Sequence, residues 1–228
     1  YIAGEVNMDK NLLQSPVPMR RSEHNEADPA EIEAFLAQMS FGFLATRGET
    51  EFPQVTPLNF AWTRGALYFH SSRLGQKIKD LKGDNRVTFA VAEELALVPS
   101  YFTSDRLACP ATAFFRSVMV YGRAEFVEDS DEKIAALTAF MQKLQSEGGY
   151  EPFTMADDEY RRNIKSVLVT KIVPVAITAK FKFGQNRDEE SWLKTRDGLL
   201  ARAKPGDLDA VAAMEKRCPF NHGQKNSP

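Results

Sequence analysis

Between Pro53 and Val91 the chain sets hydroxyls, a glycine and a lysine at a spacing that suits a phosphate. The segment reads PQVTPLNFAW, TRGA, LYFHSS, RLGQKIKDLKGDNR and VTFAV. That order is strand, tight turn, strand, short loop, basic helix and strand. The second strand ends in Phe69, His70, Ser71 and Ser72, and the helix after it opens on Gly75, with Gln76 and Lys77 in its first turn. Backbone N–H groups at a helix N-terminus lack intrahelical partners and carry the positive end of the dipole. With serines and a lysine beside them they form a site for an anion. The strand Thr56-Pro57-Leu58-Asn59-Phe60 can lie along a flat ring attached to that anion. Binding of a phosphorylated planar cofactor is the chemistry these residues suit.

Other reactive residues are more isolated. His70 has three open roles besides a structural one: to touch the edge of the bound ring, to meet a substrate, or to ligate a haem iron. Cys109-Pro110 and Cys218-Pro219 are Cys-Pro pairs, which can mark thiolate contacts to haem or arise by chance among twelve prolines. Arg116-Ser117 opens a strand that otherwise reads as core. Either it alternates across a barrel wall or it reaches the cofactor. Carboxylates are scattered, with no pair that demands acid–base catalysis, and a redox cofactor carries much of its own chemistry. G-x-G-x-x-G, the P-loop, G-x-S-x-G and HExxH are all missing, so a Rossmann site, a phosphate loop, a hydrolase elbow and a zinc protease are unsupported.

The elements that position these residues can be read from patterning. Asp28-Pro29 with Glu31 predicts a capped helix whose apolar face is Ile32, Phe35, Leu36 and Met39. Strands are predicted at 41–46, at 52–62, at 66–71 after an Arg64-Gly65 turn, and at 87–93. A further strand at 115–127 has Gly122 as an expected bulge, and two segments in 167–183 divide near Pro174. A helix capped by Ser130 carries Ile134, Leu137, Phe140, Met141 and Leu144, and helices are predicted at 189–201 and 208–216. Hairpin-type connections dominate, so the fold class is mainly β with helices, a small antiparallel barrel. Residues 1–18 read as an N-terminal arm, 19–187 as the barrel domain, 188–218 as a helical extension and 219–228 as a disordered tail.

Composition narrows the partners. The 228 residues carry a net charge of −2, with 43% hydrophobic and 26% charged residues, as in an ordinary globular domain. A nucleic-acid binder would be basic, so no nucleic acid is expected. Two distant cysteines and three scattered histidines give no metal site and no disulfide framework. No apolar run reaches the roughly 20 residues needed to cross a bilayer, and no secretory pattern opens the sequence. No membrane association and a cytoplasmic location are expected.

The chain resembles the pyridoxamine 5′-phosphate oxidase-like, FMN-binding split-barrel superfamily, and within it the branch that includes nitroimidazole reductases (the Nim group). The matching segments are MRRSE at 19–23, FGFLAT at 41–46, TPLNFAW at 56–62, LYFHSS-x-x-GQK at 67–77, SVMVYGRAEFV at 117–127 and KFKFGQNR at 180–187. The resemblance implies a six-stranded antiparallel split barrel, a homodimer with FMN at the interface, and oxidoreductase activity of nitroreductase type. NAD(P)H or another donor would supply electrons for a small-molecule substrate. It further implies that Thr56, Pro57, Leu58 and Asn59 follow the ring, and that Phe69, His70, Ser71 and Ser72 lie near ring and ribityl chain. Gln76 and Lys77 would hold the phosphate. Arg116 and Ser117 would reach the flavin from a neighbouring subunit or a facing strand. His70 is the candidate catalytic residue. An arginine that grips phosphate in the oxidase is replaced by Thr56, and the oxidase's C-terminal tryptophan and arginine motif is missing, which disfavours pyridoxamine phosphate as substrate. Haem, a deazaflavin (coenzyme F420) and a non-catalytic carrier or sensor are the alternatives on this scaffold.

Overall fold

The computed structural model describes residues 8–13, 16 and 19–220. The rest of the arm, the tail from 221 and His222 lie outside the described residues. Seven strands form one sheet: β1 (Phe41–Thr46), β2 (Gln54–Asn59), β3 (Ala61–Thr63), β4 (Ala66–Ser71), β5 (Arg86–Val98), β6 (Thr112–Val127) and β7 (Leu168–Lys182). Six α-helices accompany them: α1 (Pro29–Gln38), α2 (Gln76–Gly83), α3 (Ser130–Leu144), α4 (Asp158–Ser166), α5 (Glu189–Arg202) and α6 (Asp207–Lys216).

The sheet order is β2-β1-β5-β6-β7-β4-β3. Its outermost strands, β2 and β3, are separated in the chain by Phe60 alone. A sheet whose two margins are joined by one residue must curl until they meet, and this closure is the split barrel. Phe60 is fully buried at the corner, and its N–H donates to the Ser40 carbonyl at 3.2 Å. The expected strand 52–62 is therefore two strands, and the barrel has seven rather than six. Lys143 secures the corner from α3: its Nζ donates to the carbonyls of Leu36 at 3.0 Å, Met39 at 2.5 Å and Phe60 at 3.3 Å. Burial lowers its pKa to about 8.

Two compact units divide the chain. The first contains Ala27–Val91 and Val118–Thr178. Leu44, Phe60, Leu67, Phe69, Phe89, Val118 and Ile172 fill its core, with Ile32 and Leu36 of α1 fully buried as well. Asp28 caps α1 by accepting from Ala30 N–H, as the sequence suggests. Asp129 rather than Ser130 caps α3, accepting from Glu132 N–H at 2.7 Å. Arg64 and Gly65 both take positive φ, 52° and 69°, and make the expected turn between β3 and β4. Gly122 is no bulge: buried positions run without a change of parity through Val118, Val120, Gly122 and Ala124. It permits close approach instead, since a Cβ there would stand 2.5 Å from the Val173 carbonyl oxygen. β7 is one strand and not two. Its buried positions change parity between Ile172 and Ile177, so Pro174 is absorbed as a bulge.

The second unit contains Met19–Glu26, Ala92–Ser117 and the chain from Ala179. Phe114, Phe181, Phe183, Trp192, Leu199 and Met214 form its core. Asn25 bridges to Lys180, and Glu26 N–H donates to the Ala179 carbonyl at 3.0 Å. Arg217 of the residues after α6 binds Glu26 through Nε and Nη2 at 3.1 and 2.6 Å. Between α5 and α6, Asp207 accepts from Arg202 Nε and Nη2 at 2.9 and 2.5 Å and from Lys204 N–H at 2.8 Å.

Candidate functional site

The barrel opens where β2 and β4 part. β3 pairs with β4 in the register Ala61↔Tyr68, Trp62↔Leu67 and Thr63↔Ala66. Beyond Phe60 the chain leaves this ladder, and β2 pairs with β1 alone, from Asn59↔Phe41 to Gln54↔Thr46. The inner edge of β4 stays bonded to β7 as far as Ser71↔Leu168. From Phe69 to Ser71 the other edge of β4 therefore faces no strand, and neither does the free edge of β2. Unpaired edges of this kind present backbone N–H and C=O groups to a ligand.

Helix α2 starts at the end of this opening. Asp side chains cap α1, α3, α4 and α5, but no side chain caps α2. Its N-cap is Gly75, with φ 123° and ψ 168° and nothing within 4 Å of an added Cβ. Only glycine adopts that conformation readily, and it leaves the first-turn N–H groups open to an anion. Ser72 Oγ accepts from Leu74 N–H at 3.2 Å, and Ser71 Oγ donates to the Ser72 carbonyl at 3.1 Å, which shapes the loop. Arg73 donates from Nε and Nη2 to the carbonyls of Ser166 and Lys165, both at 3.1 Å, at the C-terminal end of α4. It anchors the loop and is not available to an anion. Lys77 is half-buried and makes no ion pair or side-chain hydrogen bond within the described residues.

The sequence-predicted residues fall into three groups. His70, Ser71, Ser72 and Lys77 lie at the open corner of the first unit. The His70 ring stands edge-on to Phe140 with centroids 5.0 Å apart, and burial of its inner side lowers its pKa, although the residue remains exposed overall. On β2 the strand alternates, so Thr56 and Leu58 face one side and Pro57 and Asn59 the other. These four cannot all present side chains to one ring, and only their backbone is shared by both faces. Asn59 is further occupied, since its Nδ2 donates to the Ser40 carbonyl at 3.0 Å. Phe69 is fully buried in the core. Gln76 Nε2 donates to Asp80 Oδ1 at 2.7 Å, and Thr46 Oγ1 donates to Asp80 Oδ2 at 2.9 Å. Arg116 and Ser117 belong to the second unit, where Arg116 Nη2 donates to Glu93 at 2.5 Å.

Asp80 is the residue that sequence reasoning passed over. It is 3% exposed and organises α2 against β1. Its i, i+4 spacing from Gln76 was the available signal. The residues at the corner suit a phosphorylated ring: an uncapped helix start, two hydroxyls, a lysine and two unpaired strand edges. A cavity of about 720 Å³ elsewhere in the first unit, lined in part by Arg47, Phe52, Arg86 and Tyr121, contains none of the predicted residues. Among the described residues no cluster of His, Cys, Asp or Glu is arranged to hold a metal ion, and no helix is long and apolar enough to cross a membrane.

Known structures resemble this fold. A candidate 5-nitroimidazole antibiotic resistance protein from Bacteroides thetaiotaomicron is 26% identical, covering 68% of this chain and 85% of its own, with a TM-score of 0.56. The flavocytochrome Anf3 from Azotobacter vinelandii is 24% identical, covering 77% and 78%, with a TM-score of 0.61. An FAD- and haem-binding protein from Mycobacterium smegmatis is 15% identical, covering 75% and 78%, with a TM-score of 0.60. The last two speak for the fold alone. Among curated proteins none matches this chain. The family model described as pyridoxamine 5′-phosphate oxidase matches residues 28–181, from the cap of α1 to the end of the barrel's last strand. With that span and this fold, the chain belongs to the pyridoxamine 5′-phosphate oxidase family.

Proposed function

We propose that this chain binds FMN at the opening between β2 and β4 and works as a flavin-dependent oxidoreductase. One observation carries the reading: the uncapped start of α2, with Lys77 in its first turn, stands at the end of two unpaired strand edges. The α2 N–H groups, Ser71, Ser72 and Lys77 would hold the phosphate, and the backbone of 56–59 would support the ring. A bound flavin accepts and donates electrons in ones or twos, so the protein need only orient it and exclude water. The donor is NAD(P)H or another reductant, and the acceptor a small nitroaromatic or quinone. The Bacteroides relative's description favours the nitroaromatic.

The open corner needs a second wall, and a second copy of the chain would supply it. The outer face of β1 and β2 leaves Phe41, Phe43 and Val55 at 48%, 46% and 59% exposure, with Pro57 opposite Phe43. An apolar patch of this kind on a sheet is a surface built to be covered. A homodimer in the cytoplasm is the proposed setting. A carrier or sensor of flavin or haem is the second reading, favoured by His70 at the exposed end of β4, where an imidazole can reach a haem iron.

An absorbance spectrum separates flavin from haem at once. In the flavin case, Lys77→Ala weakens FMN binding by about tenfold or more, because a charge-assisted contact contributes roughly 1.5–3 kcal/mol. Unchanged affinity refutes the phosphate role of Lys77. Anaerobic mixing with NADH and with NADPH, no acceptor present, then tests turnover, and a flavin that stays oxidised with both supports the carrier.

A further inference from the structure

The second unit holds a cavity of its own, about 420 Å³, lined by Arg20, Arg21, Lys180, Lys182 and Arg187 together with His24. Among the described residues no aspartate or glutamate lines it. Elsewhere in this chain arginines and lysines close on carboxylates, as Arg217 does on Glu26 and Arg202 on Asp207. Here they do not. Arg187 Nη2 donates to the Pro110 carbonyl at 3.2 Å and Lys182 Nζ to Thr112 Oγ1. Lys180 and Lys182 stand 5.6 and 5.8 Å from the centre of the Phe115 ring. Of the nearby acids, Asp188 is committed to capping α5 through Ser191 N–H at 2.8 Å, and Glu23 pairs with Arg21 at the exposed rim at 3.3 Å. Burial, then the neighbouring Lys180, Arg187 and Arg21, lowers the Lys182 pKa, and burial lowers that of Arg187. Among the described residues, the cluster carries more positive charge than neighbouring carboxylates offset.

His24 adds an independent observation. It is 1% exposed, and its Nε2 is buried without a hydrogen-bond partner among the described residues. Gln185 fixes its tautomer. The Gln185 amide is oriented by Phe183 N–H donating to Oε1 at 2.7 Å and by Nε2 donating to the Phe181 carbonyl at 2.7 Å. His24 Nδ1, 3.1 Å from Oε1, therefore carries the proton as donor, and Nε2 presents a lone pair. A buried polar atom left without a partner is rare and costly, and it calls for a ligand.

We infer that this cavity is a binding site for a small polyanion, a phosphate ester or a pyrophosphate, held by Lys180, Lys182, Arg187 and the arginine pair 20–21, with His24 donating from Nε2. Neutral His24 offers a lone pair to a lone pair. An anion therefore brings one proton onto Nε2 when it binds, and the imidazolium then donates. Glu23 favours that proton, while Lys180 and Lys182 oppose it until the anion offsets their charge. The site lies within the second unit, and the flavin corner within the first.

Calorimetric titration of the full chain, as purified with any flavin it carries, tests this with inorganic pyrophosphate and with NADP⁺ as probes. Saturable one-to-one binding is expected. Lys180→Ala, whose side chain makes no hydrogen bond, should weaken it by about tenfold, the scale of one charge-assisted contact, and Arg187→Ala likewise. Lys77→Ala should leave it unchanged. Titration in two buffers of different ionisation enthalpy should show proton uptake near pH 7 that His24→Gln abolishes. Binding of NADP⁺ at least about tenfold tighter than pyrophosphate assigns the site to a nucleotide, and comparable binding assigns it to free phosphates. Absence of binding by both probes, or binding that survives Lys180→Ala and Arg187→Ala but is lost in Lys77→Ala, overturns the inference.

Discussion

Replacing Asp207 by asparagine should destabilise the second unit by about 3 kcal/mol. Asp207 has a side-chain exposure of 1%, and it accepts two bonds from Arg202 and one from the Lys204 N–H. Removing one partner of a buried ion pair typically costs about 3–5 kcal/mol, because the other charge is left uncompensated. The Arg202 side chain is 17% exposed and lies 5.5 Å from the Phe102 ring centre, so it can relax toward water, which sets the lower end of that range. For a chain of this size about 3 kcal/mol lowers Tm by roughly 6–12 °C. Thermal unfolding followed by circular dichroism, with urea titration in parallel, measures it. The double change Arg202→Met with Asp207→Leu removes both charges and should recover most of the loss, to within about 1–2 kcal/mol of the parent. The pH dependence has a defined sign. Hydrogen bonding to Arg202 lowers the Asp207 pKa, so its stabilisation is present above the unfolded carboxylate pKa and disappears as pH falls through the folded one. A Tm of Asp207→Asn within 2 °C (roughly the measurement error) of the parent refutes this reasoning. So does a double variant as unstable as the single one, which would make the lost Lys204 contact, and not the stranded charge, responsible.

Stability should rise with pH on both sides of neutrality. Burial lowers the His24 and His70 pKa values below the ordinary 6.5, so the unfolded chain takes up protons first as pH falls below that value and melting temperature drops. Lys143, at about 8 in the folded chain against 10.5, adds stability as pH climbs between those values. A melting series from pH 5.5 to 10 checks both limbs, and a flat acid limb in His24→Gln would assign that limb to the buried histidine. Phe43→Asp on the exposed face of β1 should convert a dimer to monomers in light scattering while the single-chain melting transition persists; an unchanged mass refutes the proposed interface.

Much of the barrel was legible because local chemistry dictates it. Asp28-Pro29 can start a helix and do little else, and Arg64-Gly65 tolerates the positive φ that a two-residue hairpin requires. What escaped the sequence depends on partners distant in the chain. Phe60 ends β2 because Ser40 takes its N–H and because the sheet's margins must meet there, and neither fact is local. Pro174 suggested a break, but a bulge absorbs it within an otherwise continuous ladder. At the candidate site, residue types were visible and their commitments were not. Lys77 stands open among the described residues and Ser71 and Ser72 bond only within their own loop, whereas Gln76 is engaged with Asp80, Phe69 with the core and Arg116 with Glu93. The basic cavity was the hardest to see, since its cations come from two distant stretches held together by the His24–Gln185 contact, which spans 161 positions.

The chain passes between its two compact units before Met19 and at 26/27, 91/92, 117/118 and 178/179, the last three within strands β5, β6 and β7. Neither unit is therefore a continuous stretch of gene. No truncation at either end can yield one without the other, and a shuffled or spliced fragment would inherit half-strands with raw edges. Whatever chemistry resides in each unit has been inherited as a single genetic package, and selection acting on one must be tolerated by the other.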